Sequence, residues 1–203
     1  SWFPGAQCNI VYNAIERHLL TWRRHKVALI WEGENGDRQV FTFAELAREI
    51  NLLASALRAR GIGKGDRITL YMGVSPQLAI AMLASAKIGA VHSVVFGGFS
   101  ADALRDRIQD AKAKALITAD GAYYRGNVVP LKSAANAAAA ECPTLECVIV
   151  HQRCGVEVEM VTGRDIWWHD FVADASTEAD TEVMEANDPL YILYTSGTTG
   201  RPK

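Results

Sequence analysis

From Thr42 to Val150 the sequence alternates between a helical period and short apolar runs, and this alternation narrows the possible folds more than any other feature. Thr42 with Glu45 three residues on has the form of a capping box, in which each residue satisfies a backbone N–H at a helix start. Leu46, Ile50, Leu53 and Leu57 then recur at helical spacing and line one face. Gly61 stands where a left-handed C-terminal cap is expected. After the Lys64-Gly65-Asp66 turn, Arg67 to Met72 reads as a strand. Ser75-Pro76 starts a second helix toward Lys87, closed by Gly89. Val91 to Phe96 is β-branched and apolar, as a buried parallel strand should be. Ser100 and Asp102 open a third helix through Ala111, followed by a strand from Ala115 to Thr118. A fourth helix is expected over Leu131–Glu141, and a strand over Cys147–Val150.

Strands joined by helices of this length predict an α/β fold, a largely parallel β-sheet with helices on both faces. Ligands of such sheets gather at the carboxyl ends of the strands. That directs attention to Gly97-Gly98, to the loop over Asp120–Asn127, and to the residues after Tyr194. Residues 1–40, with Trp2, Phe3, Tyr12, Trp22 and Trp31, are expected to form an outer layer. Residues 41–155 carry the βα repeat, 156–188 an irregular, acidic excursion with Trp167-Trp168 as a packing island, and 189–203 a strand and loop.

Composition excludes several functions. With 203 residues, 49% hydrophobic and 22% charged, the chain can bury a sizeable core. A formal net charge of −2 gives no general attraction to nucleic acid or to a membrane surface. No apolar run approaches the ~20 residues of a membrane helix. Cys8, Cys142, Cys147 and Cys154 have no zinc-like spacing, so reduced structural thiols, no structural metal and a cytoplasmic location are expected. The absence of an initiator Met, and a final Gly200-Arg201-Pro202-Lys203 loop, lead us to expect a fragment of a longer protein. His92 lies inside an apolar strand and reads as a hydrogen-bonded core residue, not a base.

The chemistry is concentrated at the end. Leu190 to Tyr194 is an apolar run leading into Thr195-Ser196-Gly197-Thr198-Thr199-Gly200-Arg201-Pro202-Lys203, which holds four hydroxyls, two glycines and two cations. Glycines let backbone N–H groups close around an anion, hydroxyls donate to phosphate oxygens, and cations supply charge. The stretch does not match the P-loop pattern G-x-x-x-x-G-K-[ST].

The string Tyr194 to Lys203 resembles the signature loop of the adenylate-forming superfamily. The resemblance implies that Thr195, Ser196, Gly197, Thr198, Thr199, Gly200 and Lys203 clamp ATP phosphates while a carboxylate attacks the α-phosphate. Val40–Leu46, Gly63–Arg67, Ile88–Ser100, Leu104–Ile108, Thr118–Gly121 and Gly163–Asp170 are similar to the acetyl-CoA synthetase branch. That implies the N-terminal domain of such an enzyme, with acetate, ATP and coenzyme A as small-molecule substrates and Mg(2+) accompanying ATP. Propionyl-CoA and other short-chain acyl-CoA synthetases are the nearest alternatives, and a non-catalytic nucleotide- or CoA-binding module is the alternative of another class. The resemblance also implies that catalytic and metal-binding residues lie beyond Lys203, leaving this stretch inactive by itself.

In that branch Phe96, Gly97 and Gly98 border the CoA adenine, and the stretch holding Tyr124, Arg125 and Asn127 meets the phosphates of the CoA nucleotide. Relatives carry two basic residues three apart, at the positions of Tyr124 and Asn127. Only Arg125 is charged here, one residue out of register. Two lost charge-assisted contacts at about 1.5 kcal/mol each would weaken CoA binding substantially.

Overall fold

The computed structural model describes residues 3–195. The chain opens with strand β1 (Gln7–Cys8), a wide turn over Tyr12–Glu16, the single turn α1 (Arg17–Leu19) and a 3-10 turn over Trp22–His25. Strands β2 (Val27–Glu32) and β3 (Arg38–Thr42) form an antiparallel hairpin. The repeat follows: α2 (Phe43–Ala59), β4 (Arg67–Met72), α3 (Pro76–Lys87), β5 (Val91–Phe96), α4 (Ala101–Ala111) and β6 (Ala115–Ala119). A second hairpin, β7 (Gly121–Tyr124) and β8 (Asn127–Pro130), precedes α5 (Leu131–Ala140) and β9 (Cys147–His151). Last come β10 (Asp165–Trp167), α6 (Trp168–Phe171), β11 (Met184–Glu185) and β12 (Tyr191–Ile192).

Local chemistry explains the helix boundaries. Thr42 Oγ1 accepts from the Glu45 N–H at 3.2 Å and Glu45 Oε2 accepts from the Thr42 N–H at 2.8 Å, so the capping box is formed. Leu46, Ile50, Leu53 and Leu57 are all buried, and Gly61 takes φ 75° past the helix end. Ser75 and Ser100 cap α3 and α4 by accepting from the N–H groups of Leu78 and Ala103. One cap differs from the usual chemistry: α4 ends on Lys112 at φ 50°, a left-handed position without glycine.

Six strands form one sheet in the order β10-β9-β6-β4-β5-β12, every neighbouring pair parallel. The connection from β4 to β5 runs one way and the connection from β5 back past β4 to β6 runs the other. Right-handed crossovers therefore put α3 and α4 on opposite faces. Helix α2 packs with α3, and α5 with α4, so both faces are covered. Strands β4, β6 and β9 are buried almost throughout, which is why their sequences are continuous apolar runs.

Two sequence expectations change. The Asp120–Asn127 stretch is not an open loop but most of the β7–β8 hairpin, whose turn places Arg125 at φ 51° and Gly126 at φ 76°. Two consecutive positive φ values give a turn whose twist matches the strands it joins. Within residues 156–188, Asp165–Trp167 adds the edge strand β10 to the sheet, and Trp168 and Phe171 enter the core. The network holding β10 is ionic: Lys132 Nζ lies 2.6 Å from Asp165 Oδ2, and Arg164 Nε 2.6 Å from Asp165 Oδ1.

His92 is buried, as expected of a core residue, and burial pushes its pKa down to about 4. Its Nδ1 has no hydrogen-bond partner among the described residues, so the expected hydrogen-bonded arrangement is not found at that atom. Burial likewise holds the Cys147 thiol up at about 11, and all four cysteines are free. Among the described residues no helix is long and apolar enough to cross a membrane.

Candidate functional site

The sheet's direction reverses at β4: the chain continues to β5 on one side and returns to β6 on the other. The helices of the two crossovers lie on opposite faces, which leaves a crevice at the carboxyl ends of β4 and β6. Gly73-Val74 follow β4, Gly97-Gly98 follow β5, Asp120 follows β6 and Arg153 follows β9. A cleft of about 520 Å³ opens there, between the β2–β3 and β7–β8 hairpins. Trp31, Phe96, Tyr123 and Tyr124 supply its aromatic surfaces, and Gly73, Gly97 and Gly98 let the walls approach.

A side chain at Gly73 or Gly98 would have to displace a neighbour. A Cβ on Gly73 would lie 2.8 Å from the Ala122 Cβ, and one on Gly98 2.5 Å from Cε1 of Phe96. The Gly97–Phe99 turn is held from below by Tyr71, whose hydroxyl donates toward the carbonyls of Gly97 at 3.2 Å and Phe99 at 2.9 Å. Phe96 ends a buried strand yet is 62% exposed, so its ring stands at the cleft mouth.

Asp120 organises the crevice floor. Its side chain is buried, and its carboxylate accepts from the backbone N–H of Gly121 at 2.7 Å, Arg153 at 2.7 Å, Cys154 at 3.0 Å, Gly155 at 2.6 Å and Val156 at 3.1 Å. The segment leaving β9 is thus wrapped around one carboxylate, with backbone dipoles in place of a cation. This positions Arg153, whose guanidinium lies 4.9 Å from the Trp31 ring and 4.9 Å from the Tyr123 ring. Asp37, 2.6 Å away, and Asn35 at 2.9 Å complete its contacts. Arg153 therefore joins the two hairpins. Trp31 Nε1 donates to the Val74 carbonyl at 3.1 Å, and Glu34 accepts from the Gly126 N–H. Nearby, burial pushes His151 down to about 4, with the Asp120 carboxylate opposing that shift, and its ring meets Trp168 edge-on.

Of the site residues named from sequence, Phe96, Gly97, Gly98 and Tyr124 line this one cleft. Arg125 and Asn127 sit at the exposed hairpin tip and not in the cleft wall. The Arg125 guanidinium lies 5.2 Å over the Tyr124 ring, and Asn127 Nδ2 donates to the Arg125 carbonyl at 3.1 Å. Thr195 is the last described residue, three positions past β12. Ser196, Gly197, Thr198, Thr199, Gly200 and Lys203 lie outside the described residues. The root of that loop is tied to α4: the Tyr194 hydroxyl donates to Asp110 Oδ2 at 2.5 Å, and Arg107 lies over the Tyr194 ring at 5.5 Å. Burial, with the Asp110 carboxylate, pushes the Tyr194 phenol well above its ordinary range.

Sequence reasoning held Tyr123 only within the Asp120–Asn127 stretch, and it missed Trp31 as a cleft residue and Arg153 as the cation joining the two hairpins. Trp31 was assigned to an outer layer, and nothing in the local pattern around Arg153 marks it. Asp120 carried a usable signal, a carboxylate directly after a buried strand.

Comparison with known proteins follows the same lines. The family described as AMP-binding enzyme matches residues 15–203. Acetyl-coenzyme A synthetases from Gemmatimonas aurantiaca and Deinococcus radiodurans are 51% and 52% identical over the whole of this chain. The chain covers 32% and 31% of those proteins, about a third of their length. Among solved structures, acetoacetyl-CoA synthetase from Streptomyces lividans superposes over 100% of this chain and 30% of its own, with TM-score 0.90 and 34% identity. On the match over residues 15–203, this chain belongs to the AMP-binding enzyme family.

Proposed function

We propose that this chain is part of an AMP-forming acetate–CoA ligase. The observation that carries this reading is the roughly 50% identity to acetyl-coenzyme A synthetases along the whole chain. The glycine-floored, aromatic cleft at the sheet's reversal point supports it, since it suits a flat base. The 34% identity to an acetoacetyl-CoA synthetase is lower, which favours acetate over acetoacetate.

Two displacements make up the reaction. An acetate oxygen bonds to the ATP α-phosphorus, the bond to the bridging oxygen breaks, and pyrophosphate leaves with acetyl-AMP formed. The CoA sulfur then attacks the acetyl carbonyl carbon, AMP leaves, and the thiol proton passes to solvent. Such reactions depend on positioning and on charge stabilisation. Thr195, Ser196, Gly197, Thr198, Thr199, Gly200 and Lys203 are the proposed phosphate clamp. Phe96, Gly97, Gly98 and Tyr124 are the proposed seat of the CoA adenine, with Arg125 and Asn127 at its rim. Mg(2+) is proposed as part of the nucleotide substrate; among the described residues no group of three or more His, Cys, Asp or Glu side chains is placed to hold it. The free thiols fit a reducing compartment, and the cytoplasm is the proposed location.

Two measurements on the full-length protein test this reading. Carboxylate-dependent ATP–pyrophosphate exchange is expected with acetate preferred to propionate and acetoacetate by about tenfold or more, the scale of a pocket that fits one methylene less. Exchange with no carboxylate would defeat the proposal. Gly98→Ala places a Cβ 2.5 Å from the Phe96 ring, which can swing aside because it is exposed. The KM for CoA is expected to rise about five- to tenfold, a little over 1 kcal/mol, while pyrophosphate exchange is unchanged. An unchanged KM would separate Gly98 from CoA binding.

A further inference from the structure

We infer that Arg107 is a positioning residue for two substrates at once, ATP and coenzyme A: its guanidinium, on α4, holds together the turn beside the CoA cleft and the root of the proposed phosphate loop. The inference rests on the ligase reading and adds to it a residue that acts through two others.

Strands β5 and β12 are parallel neighbours, with Tyr191 opposite His92 and Ile192 opposite Ser93, so their carboxyl ends leave the sheet side by side. The chain leaving β5 makes the Gly97–Phe99 turn and enters α4 at its Ser100 cap, while the chain leaving β12 reaches Tyr194. Side chains on a helix lean toward its N-terminus, which carries Arg107, in the second turn of α4, back toward both exits. Its Nη1 donates to the Ala103 carbonyl one turn earlier, at 2.6 Å. The guanidinium lies over the Phe99 ring at 4.5 Å and over the Tyr194 ring at 5.5 Å, and Arg107 is only 8% exposed.

Each ring is tied to a site. Phe99 meets the Phe96 ring edge-on at 6.2 Å, and Phe96 lines the cleft. On the other side the Tyr194 hydroxyl donates to Asp110 Oδ2 at 2.5 Å, one turn beyond Arg107. A continuous series of contacts, Phe96–Phe99–Arg107–Tyr194–Asp110, thus runs from the cleft to the loop root. Arginine suits the middle of that series because its planar, weakly hydrated cation stacks on aromatic faces when buried. Lysine keeps the charge and loses the plane. A misplacement of about 1 Å away from the chemistry costs on the order of a hundredfold in rate, so fixing both exits with one group has a measurable consequence.

The test uses the full-length protein in two assays: acetate-dependent ATP–pyrophosphate exchange without CoA, which reads the KM for ATP, and acyl-thioester formation, which reads the KM for CoA. For Arg107→Met both KM values are expected to rise about five- to tenfold, the scale of one buried cation–ring contact. Arg107→Lys is expected to fall between the natural protein and Arg107→Met, and it carries the test if the Met variant does not fold. Arg105→Ala, which removes ion pairs to Asp102, Asp106 and Glu141 from the same helix, is expected to leave both KM values unchanged. A smaller folded fraction lowers the apparent kcat and leaves KM where it was, so lost stability does not imitate the effect. Either KM unchanged in the Arg107 variants, or an equal rise in Arg105→Ala, overturns the inference. A natural protein without acetate-dependent exchange counts against the ligase reading itself, and the inference falls with it.

Discussion

Asp120→Ala is expected to destabilise the protein by about 3–5 kcal/mol, a large part of the 5–15 kcal/mol typical of a folded domain. Five backbone N–H groups, from Gly121, Arg153, Cys154, Gly155 and Val156, share the Asp120 carboxylate. Removing it leaves them without an acceptor in a site where the Asp120 side chain is fully buried. An unsatisfied buried donor costs about 1–3 kcal/mol, and water entering a relaxed turn recovers part of the sum. Asp120→Asn keeps one acceptor oxygen but puts an amide N–H₂ against other donors, so an intermediate or larger loss is expected. Asp102→Ala, in the exposed first turn of α4, is the control and should change stability by less than about 0.5 kcal/mol. Urea unfolding measures all three. A loss below 1 kcal/mol for Asp120→Ala would mean that the cage is decorative. Because the cage positions Arg153 between the two hairpins, the proposed ligase reading expects surviving Asp120 variants of the full-length protein to bind CoA less tightly as well.

The second large effect lies at the β10 edge of the sheet. Asp165 and Lys132 are paired at 2.6 Å with 0% and 1% of their side chains exposed. Asp165→Ala leaves the Lys132 ammonium buried without its counter-ion, with only Asn136 Oδ1 at 2.5 Å and the Glu159 carbonyl at 2.8 Å. Breaking one member of such a pair costs about 3–5 kcal/mol. Lys132→Met should cost less, because Arg164 and the Val161 N–H still hold the Asp165 carboxylate. The double change Lys132→Met with Asp165→Leu should recover part of the loss, since no charge is stranded.

The same pair predicts a pH signature. Burial tends to raise the Asp165 pKa, but hydrogen bonds from Arg164, Lys132 and the Val161 N–H outweigh it and hold the group below its ordinary 3.8. A depressed folded pKa contributes stability that is fully present above the unfolded value. It is lost as pH falls below 3.8 through the folded pKa. The stability difference between the natural protein and Asp165→Asn is therefore expected to be constant near neutrality and to shrink below pH about 4. A difference that stays constant down to pH 2 would contradict this account.

The legible parts of the fold are those settled within a few residues of chain. Thr42 and Glu45 cap α2 wherever the helix goes, and Leu46, Ile50, Leu53 and Leu57 share a face because 3.6 residues make a turn. Ser75-Pro76, the Ser100 cap and the apolar strands are of the same kind. At Lys112 a left-handed position lacks glycine, yet α4 ends at Ala111 as its pattern predicts. Arg125 shows where this reading stops: a left-handed position is ordinarily filled by glycine, and an arginine there gives no local sign of the β7–β8 turn, which is why Asp120–Asn127 reads as a loop. Strand β10 has only three residues and is recruited by pairing with β9 and by the buried Asp165, partners distant in sequence.

The cleft divides along the same line. Phe96, Gly97 and Gly98 stand out because glycines directly after a buried strand are informative by themselves. Trp31 and Arg153 do not, since their meeting depends on where two hairpins lie relative to the sheet. By itself the sequence determined the alternation of helices and strands and the helix ends, each a matter of near-neighbour sterics and hydrogen bonding. Only the tertiary structure decided the strand order, the reversal at β4 and hence the crevice. It also decided that the one carboxylate after β6 would gather the backbone that places Arg153. Those outcomes depend on packing between residues far apart in the chain, which no local pattern records.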